Sequence, residues 1–180
     1  LLCLSAAHRP SPFASAFRAL QRQVVTLGQT QFADAVGLSL ARQLAMLSYR
    51  SPNEFSERFD QPADLRSGRV HCASEDYLQH CGQRYAAQWS ATAFLRLSES
   101  IDLHVIAPTQ IRVPCQFLAV EGDWLAPVEL MAACAADVAA PCEIEIIASR
   151  YGHDAFLKEI DHVDALLHRA LQNDSSEIAA

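Results

Sequence analysis

The sequence predicts an α/β protein: a parallel sheet with helices on both faces, into which a block of helices is inserted. Three observations carry that reading. A short apolar run, "LLCLS", opens the chain; residues 11–107 follow helical spacing; and from residue 108 the pattern switches to strand, helix, strand, helix. The organisation is then a core strand at 1–10, a helical insertion at 11–107, the rest of the α/β core at 108–173 and a flexible tail at 174–180.

The elements follow in order. "LLCLS" is continuous and apolar, as a strand covered on both faces is. "SPFASAFRALQRQVVTL" and "ADAVGLSLARQLAMLSYR" repeat apolar residues at three- and four-residue spacing, the mark of amphipathic helices. "SPNEFSERF" starts a further helix, with Ser51 as cap, Pro52 in the first turn and Glu54 three residues after the cap. "SEDYLQHCGQRYAAQW" and "SATAFLRLSESIDL" supply two more, and the intervening "DQPADLRSGRV" reads as a loop rich in turn formers. Then "VPCQFLAVE" is a buried strand, "PVELMAACAADVA" a helix with Pro127 at its start, and "PCEIEIIAS" a second strand. "AFLKEIDHVDALLHRAL" is a helix with Phe156, Ile160, Val163 and Leu167 on one stripe, and the polar "QNDSSEIAA" frays.

Composition narrows the function. The chain has 180 residues, 51% hydrophobic and 19% charged, enough for one ordinary core. A net charge of −7 leaves no electrostatic footprint for nucleic acid. No apolar run approaches a bilayer span and the opening residues lack a signal-peptide pattern, so a cytoplasmic protein without a membrane partner is expected. The six cysteines (Cys3, Cys72, Cys81, Cys115, Cys134 and Cys142) lack the dense spacing of a secreted scaffold and read as reduced, mostly buried thiols. "HCASEDYLQHC" sets His71–Cys72 against His80–Cys81, but zinc ligands within a pair stand roughly two to four residues apart. Adjacent side chains diverge on a helix, so no metal site is expected there.

Two residues carry the chemistry. Asp123 follows the strand "VPCQFLAVE" and His153 follows "PCEIEIIAS", and right-handed crossovers put both loops on the carboxyl edge of the sheet. With neighbouring strands about 5 Å apart, the carboxylate can reach one imidazole nitrogen and fix its tautomer while the other takes a proton. Taken singly, each has a plainer reading: a solvated turn aspartate and a histidine near a helix start. Where a nucleophile, acid and histidine follow one another along an α/β-hydrolase chain, the nucleophile sits on a G-x-S-x-G elbow before the acid. No two glycines here bracket a serine; "VGLSLA" around Ser39 is the nearest imitation and lies in a helical pattern. With no starting Met and an abrupt opening strand, the expectation is that the elbow lies upstream and that the chain is the carboxyl part of a longer enzyme.

"ARQLAMLSYRSPNEFSERF", "YLQHCGQRYAAQW", "GDWLAP" and "YGHDAFL", in that order, resemble the homoserine O-acyltransferases, and the likeness runs from residue 1 to about residue 172. The resemblance implies an α/β-hydrolase fold with a helical lid, and a serine that takes an acyl group from acyl-CoA (acetyl or succinyl) and passes it to the hydroxyl of L-homoserine in methionine biosynthesis. It implies no cofactor, acyl-CoA being a co-substrate, and a homodimer formed through the lid. Asp123 and His153 then match the triad acid and base. Asp154 matches the carboxylate that receives the substrate ammonium group; Arg42, which contacts the substrate carboxylate, and Tyr49 match a lid pair. Without the family match, Arg42 and Tyr49 read as an exposed charge and a half-buried aromatic, and Asp154 as a helix-start carboxylate favoured by the dipole. The chain departs from the family at 88–92, "QWSAT" standing where "RFDAN"-like residues are usual. Two other readings stay open: an esterase of the same fold, and a truncated, non-catalytic homologue acting as an association module.

Overall fold

The computed structural model describes residues 1–177, with side chains as far as Leu171. The chain forms two compact units, one made of Leu1–Ser11 with the chain from Val105 onward, the other of Pro12–His104.

The first unit is built on three parallel strands in the order β1 (Leu2–Leu4), β4 (Cys115–Val120), β5 (Cys142–Ile147). Leu2–Leu4 pair with Gln116–Leu118, and Cys115–Val120 pair with Cys142–Ile147. The central strand has no polar face, and the reason is its two-sided cover. Phe117 and Ala119 pack with Met131 and Cys134 of α6 (Val128–Asp137). Leu118 and Val120 point the other way, toward Ala155 and Leu166, the latter on α7 (Ile160–Glu177). Alternate residues of one strand thus serve two cores. Burying side chains such as Phe117 and Leu118 completely contributes about 1.5–3 kcal/mol each.

All six thiols are free, but only Cys115 and Cys134 are fully buried, the other four being half-buried. Cys3, Cys115, Cys134 and Cys142 gather in one core cluster. Burial, followed by the neighbouring thiols of Cys134 and Cys115, pushes the Cys3 thiol up to about 11. Such thiols are inert packing groups rather than nucleophiles.

The second unit holds α1 (Pro12–Gln31), α2 (Asp34–Tyr49), α3 (Pro52–Phe59), α4 (Ala73–Ala86) and α5 (Ala91–Asp102). Val25, Leu38, Ala41, Ala91 and Phe94 form its core. Ser51 caps α3 by accepting the Glu54 N–H at 3.2 Å, with Pro52 in the first turn. Two ion clusters brace the helices. Asp102 accepts hydrogen bonds from Ser15 at 2.8 Å, and from Arg18 and Arg22 at 2.6 Å each. Glu54, on α3, pairs with Arg50 and, at 3.3 Å, with Arg58.

Three details differ from the sequence reading. The segment read as a loop, "DQPADLRSGRV", contains a hairpin, β2 (Asp64–Arg66) paired antiparallel with β3 (Arg69–His71). Its central residues Ser67 and Gly68 have φ of 53° and 78°, the two positive values of a tight type I′ turn. The last helix does not begin at Ala155: Gly152–Leu157 form a 3₁₀ segment, and α7 starts at Ile160. Its inward residues are Val163 and Leu166, whereas Ile160 is 71% exposed. Finally, α7 runs on to Glu177, beyond the expected helix end at Leu171, and 178–180 lie outside the described residues.

Candidate active site

Both strand-end residues of the first unit owe their placement to a preceding glycine. β4 ends at Val120, and Gly122, with φ of 74°, turns the chain sharply into Asp123. A Cβ at Gly122 would meet no neighbouring atom, so the dihedral and not the space calls for glycine. After β5, Gly152 adopts φ of 60° and launches the 3₁₀ segment with His153 as its second residue.

The turns bring the two side chains together. His153 Nδ1 lies 2.8 Å from Asp123 Oδ2. The other oxygen, Oδ1, accepts the backbone N–H groups of Leu125 at 2.8 Å and Ala126 at 3.0 Å. The carboxylate, with no exposed side-chain surface, is therefore held at both oxygens, while the imidazole keeps 21% of its surface exposed. The Phe156 ring meets the imidazole edge-on at 5.8 Å. An ionised carboxylate only accepts, so the ring nitrogen facing it carries the proton, and Nε2 of the neutral ring is the basic atom. This is the arrangement of a general base with its orienting acid. Asp154, half-buried, follows the histidine in the first turn of the same segment.

Sequence reading passed over Ser5. It follows β1 at the same edge of the sheet, is 5% exposed and has φ of 44°, unusual for a residue with a Cβ. Its N–H donates to Leu118 O at 3.0 Å, while its Oγ has no partner among the described residues. Nothing local marks it, since a serine closing an apolar strand is ordinary.

The second unit holds the other pair. Arg42 and Tyr49, both on α2, meet through a cation–π contact, with Cζ 5.3 Å from the ring centroid. A second ring, Tyr85 of α4, lies 5.2 Å from the same Cζ. Tyr85 is the member that sequence spacing could not supply, because it stands on another helix. Burial raises its phenol pKa above the ordinary value, against the pull of Arg42. Among the described residues, no hydrogen bond or ion pair engages the half-buried Arg42. Also among the described residues, no group of three or more His, Cys, Asp or Glu side chains is placed to hold a metal ion, His71, Cys72, His80 and Cys81 included. No helix there is long and apolar enough to cross a membrane.

Known proteins share both the sequence and the fold. A homoserine O-succinyltransferase of Xanthomonas campestris pv. campestris is 52% identical over 172 residues, which cover 96% of this chain and 47% of that protein. A homoserine O-acetyltransferase of Thermus thermophilus is 32% identical over 181 residues, covering 93% and 45%. The crystal structure of homoserine O-acetyltransferase from Bacillus anthracis superposes with a TM-score of 0.78 at 14% identity, over 89% of this chain and 49% of that one. No protein-family model matches. The chain spans about half the length of the curated relatives it matches. It belongs to the homoserine O-acyltransferase family, with the α/β-hydrolase fold.

Proposed function

We propose that the chain supplies the acid, the base and the acceptor-binding groups of an enzyme that transfers an acyl group from acyl-CoA to the hydroxyl of L-homoserine. The observation that carries this reading is the Asp123–His153 pair at 2.8 Å on the carboxyl edge of a parallel sheet. No serine of this chain is bracketed by two glycines, so the nucleophile is assigned to the half of the family's length that this chain does not span.

The chemistry follows from the pair. His153 Nε2 takes the proton of the serine hydroxyl as its oxygen attacks the thioester carbonyl, and Asp123 stabilises the imidazolium that forms. The imidazolium returns the proton to the departing CoA thiolate. Homoserine then occupies the site, its hydroxyl gives its proton to His153, and its oxygen attacks the acyl-serine; the acyl–serine bond breaks, the imidazolium returns the proton to the serine oxygen, and the homoserine ester leaves. Arg42, beside Tyr49, takes the amino acid's carboxylate and Asp154 its ammonium group, matching opposite charges. Water has to be excluded while the acyl-enzyme stands, because it would otherwise hydrolyse. Identity of 52% to a protein named for succinyl transfer, against 32% to one named for acetyl transfer, favours succinyl-CoA as donor. On this reading the whole protein is a cytoplasmic homodimer joined through the helical unit.

A chimera tests the proposal. This chain replaces the matching half of the Xanthomonas campestris relative, and CoA thiol release is followed with L-homoserine and either donor. The chimera is expected to transfer succinyl groups, and His153→Ala to lower turnover about a thousandfold or more. Undiminished transfer by His153→Ala would remove the histidine from the mechanism. A burst of CoA thiol from the 180-residue chain alone would overturn the assignment of the nucleophile.

A further inference from the structure

We infer that Tyr85 is a positioning residue: its ring clamps the Arg42 guanidinium against Tyr49, so that the arginine's N–H donors are held ready for the carboxylate of the acceptor amino acid. The inference rests on the acceptor role proposed for Arg42. It adds a residue from a second helix, and a reason why this arginine differs from its neighbours.

The first reason is how the charge is satisfied. Arg18 and Arg22 spend their donors on Asp102, and Arg50 and Arg58 pair with Glu54. Arg42 lies in the same unit, half-buried, with no hydrogen bond or ion pair among the described residues. Its Cζ lies over two tyrosine rings instead, at 5.3 and 5.2 Å. A ring face attracts the cation through its quadrupole without consuming an N–H donor. The result is a guanidinium held in place with its donors unspent, the state in which a two-pronged grip on a carboxylate costs least ordering.

The second reason is that Tyr85 is itself fixed. Its ring stacks on Trp89 with centroids 5.3 Å apart and planes 9° apart. It meets Phe94, part of the unit's core, edge-on at 6.3 Å. Three residues before Tyr85, Gly82 touches Ser39, which is three residues before Arg42. A Cβ on Gly82 would stand 2.6 Å from the Ser39 carbonyl oxygen and 2.4 Å from its Oγ. Only glycine permits that approach, and one helical turn further along each helix it delivers the tyrosine to the arginine. The phenol is neutral at physiological pH, and burial shifts its pKa further upward.

The test reads Arg42 directly in the 180-residue chain, through its Nε–H and side-chain methylene resonances. In the unsubstituted protein these are expected upfield of ordinary arginine positions, because of the two rings, and the Nε–H should shift on titration with L-homoserine but not with 3-aminopropan-1-ol, which lacks the carboxylate. Tyr85→Leu should return the resonances toward ordinary positions and weaken homoserine binding about tenfold, whereas Tyr85→Phe, which keeps the ring, should restore both. In the chimera described above, the same loss should appear as a raised KM for homoserine with the rate of enzyme acylation unchanged. Ordinary Arg42 resonances in the unsubstituted chain would overturn the clamp even if Tyr85→Leu failed to fold. Unchanged homoserine affinity in a folded Tyr85→Leu would overturn the positioning role while leaving Arg42 as the acceptor's partner. Ring-shifted resonances that Tyr85→Leu relaxes, with no response to homoserine in either protein, would overturn the inference in the opposite way: the clamp would stand and the acceptor role would fall.

Discussion

The two units treat their polar side chains in opposite ways. In the α/β unit the strand-end pair is already partnered: Asp123 accepts from two backbone N–H groups and faces His153 at 2.8 Å. In the helical unit Arg18, Arg22, Arg50 and Arg58 pair with the acids Asp102 and Glu54, whereas Arg42, among the described residues, is held by aromatic faces without an acid. On the proposed function, the difference follows from what each group must do. A base has to present one nitrogen in one tautomer at all times, so its orientation is fixed by hydrogen bonds that persist through the reaction. A group that grips a transient ligand must keep its donors available, so it is fixed by contacts that consume none.

The comparison breaks most visibly at the acid. Asp123→Asn keeps the size of the side chain but exchanges an acceptor for a donor at one end, so the imidazole facing it adopts the wrong tautomer. The expected loss in the chimera is about 10⁴-fold in turnover, with little change in folding. Comparable turnover in Asp123→Asn would show that backbone contacts alone orient the loop, and the α/β unit would no longer contrast with the helical one.

Much of this was legible because it is local. Asp123 and His153 each stand just beyond an apolar strand, so strand period and the hand of the crossover together put the pair on one edge of the sheet. Arg42 and Tyr49 could be paired by their seven-residue spacing, but the ring that completes the clamp comes from Tyr85, and no periodicity links α2 to α4. The hairpin escaped notice because its strands are three residues long and exposed, and its apolar residues Leu65 and Val70 are a cross-strand pair without any alternating run. α7 starts later than the apolar stripe implies, because Phe156 matches the helical spacing while the positive φ of Gly152 sets a 3₁₀ segment first. Ser5 is invisible for a similar reason: its strain is a property of where β1 ends in space.

A second way to sharpen the comparison is to remove an acid that the structural arginines need. Glu54 has 7% of its side chain exposed and faces both Arg50 and Arg58, and Arg50 and Arg58 also lie over the Tyr77 ring at 5.9 and 4.7 Å. Glu54→Gln removes the carboxylate charge that both guanidinium groups face. The expected cost is about 3–5 kcal/mol, read as a fall in the denaturant midpoint. Arg42→Met removes a charge that no acid balances and should cost about 1 kcal/mol or less. If the two substitutions destabilised equally, Arg42 would be a structural arginine like the rest.

The smallest effect concerns pH. Burial works against the charged form of Asp102, but hydrogen bonds from Arg18, Arg22 and Ser15 outweigh it and hold the carboxyl below its ordinary value. A carboxylate with a depressed native pKa contributes stability that is fully present above its unfolded value of about 3.9. That contribution fades as pH falls through the lower native value, where the folded state too takes up the proton. Asp102→Asn, which cannot ionise, should therefore be less stable than the unsubstituted chain by about 1–2 kcal/mol at neutral pH, since the cluster is partly open to solvent. The gap should narrow below pH 4, and the measurement is the denaturant midpoint of both proteins from pH 7 down to pH 2. Salt should narrow it too, because a cluster with 15–23% of its side-chain surface exposed is partly screened. A gap that stayed constant across the acid range would mean that Asp102 braces α1 and α5 by shape rather than by charge, and the contrast with the aromatically held Arg42 would lose its electrostatic basis.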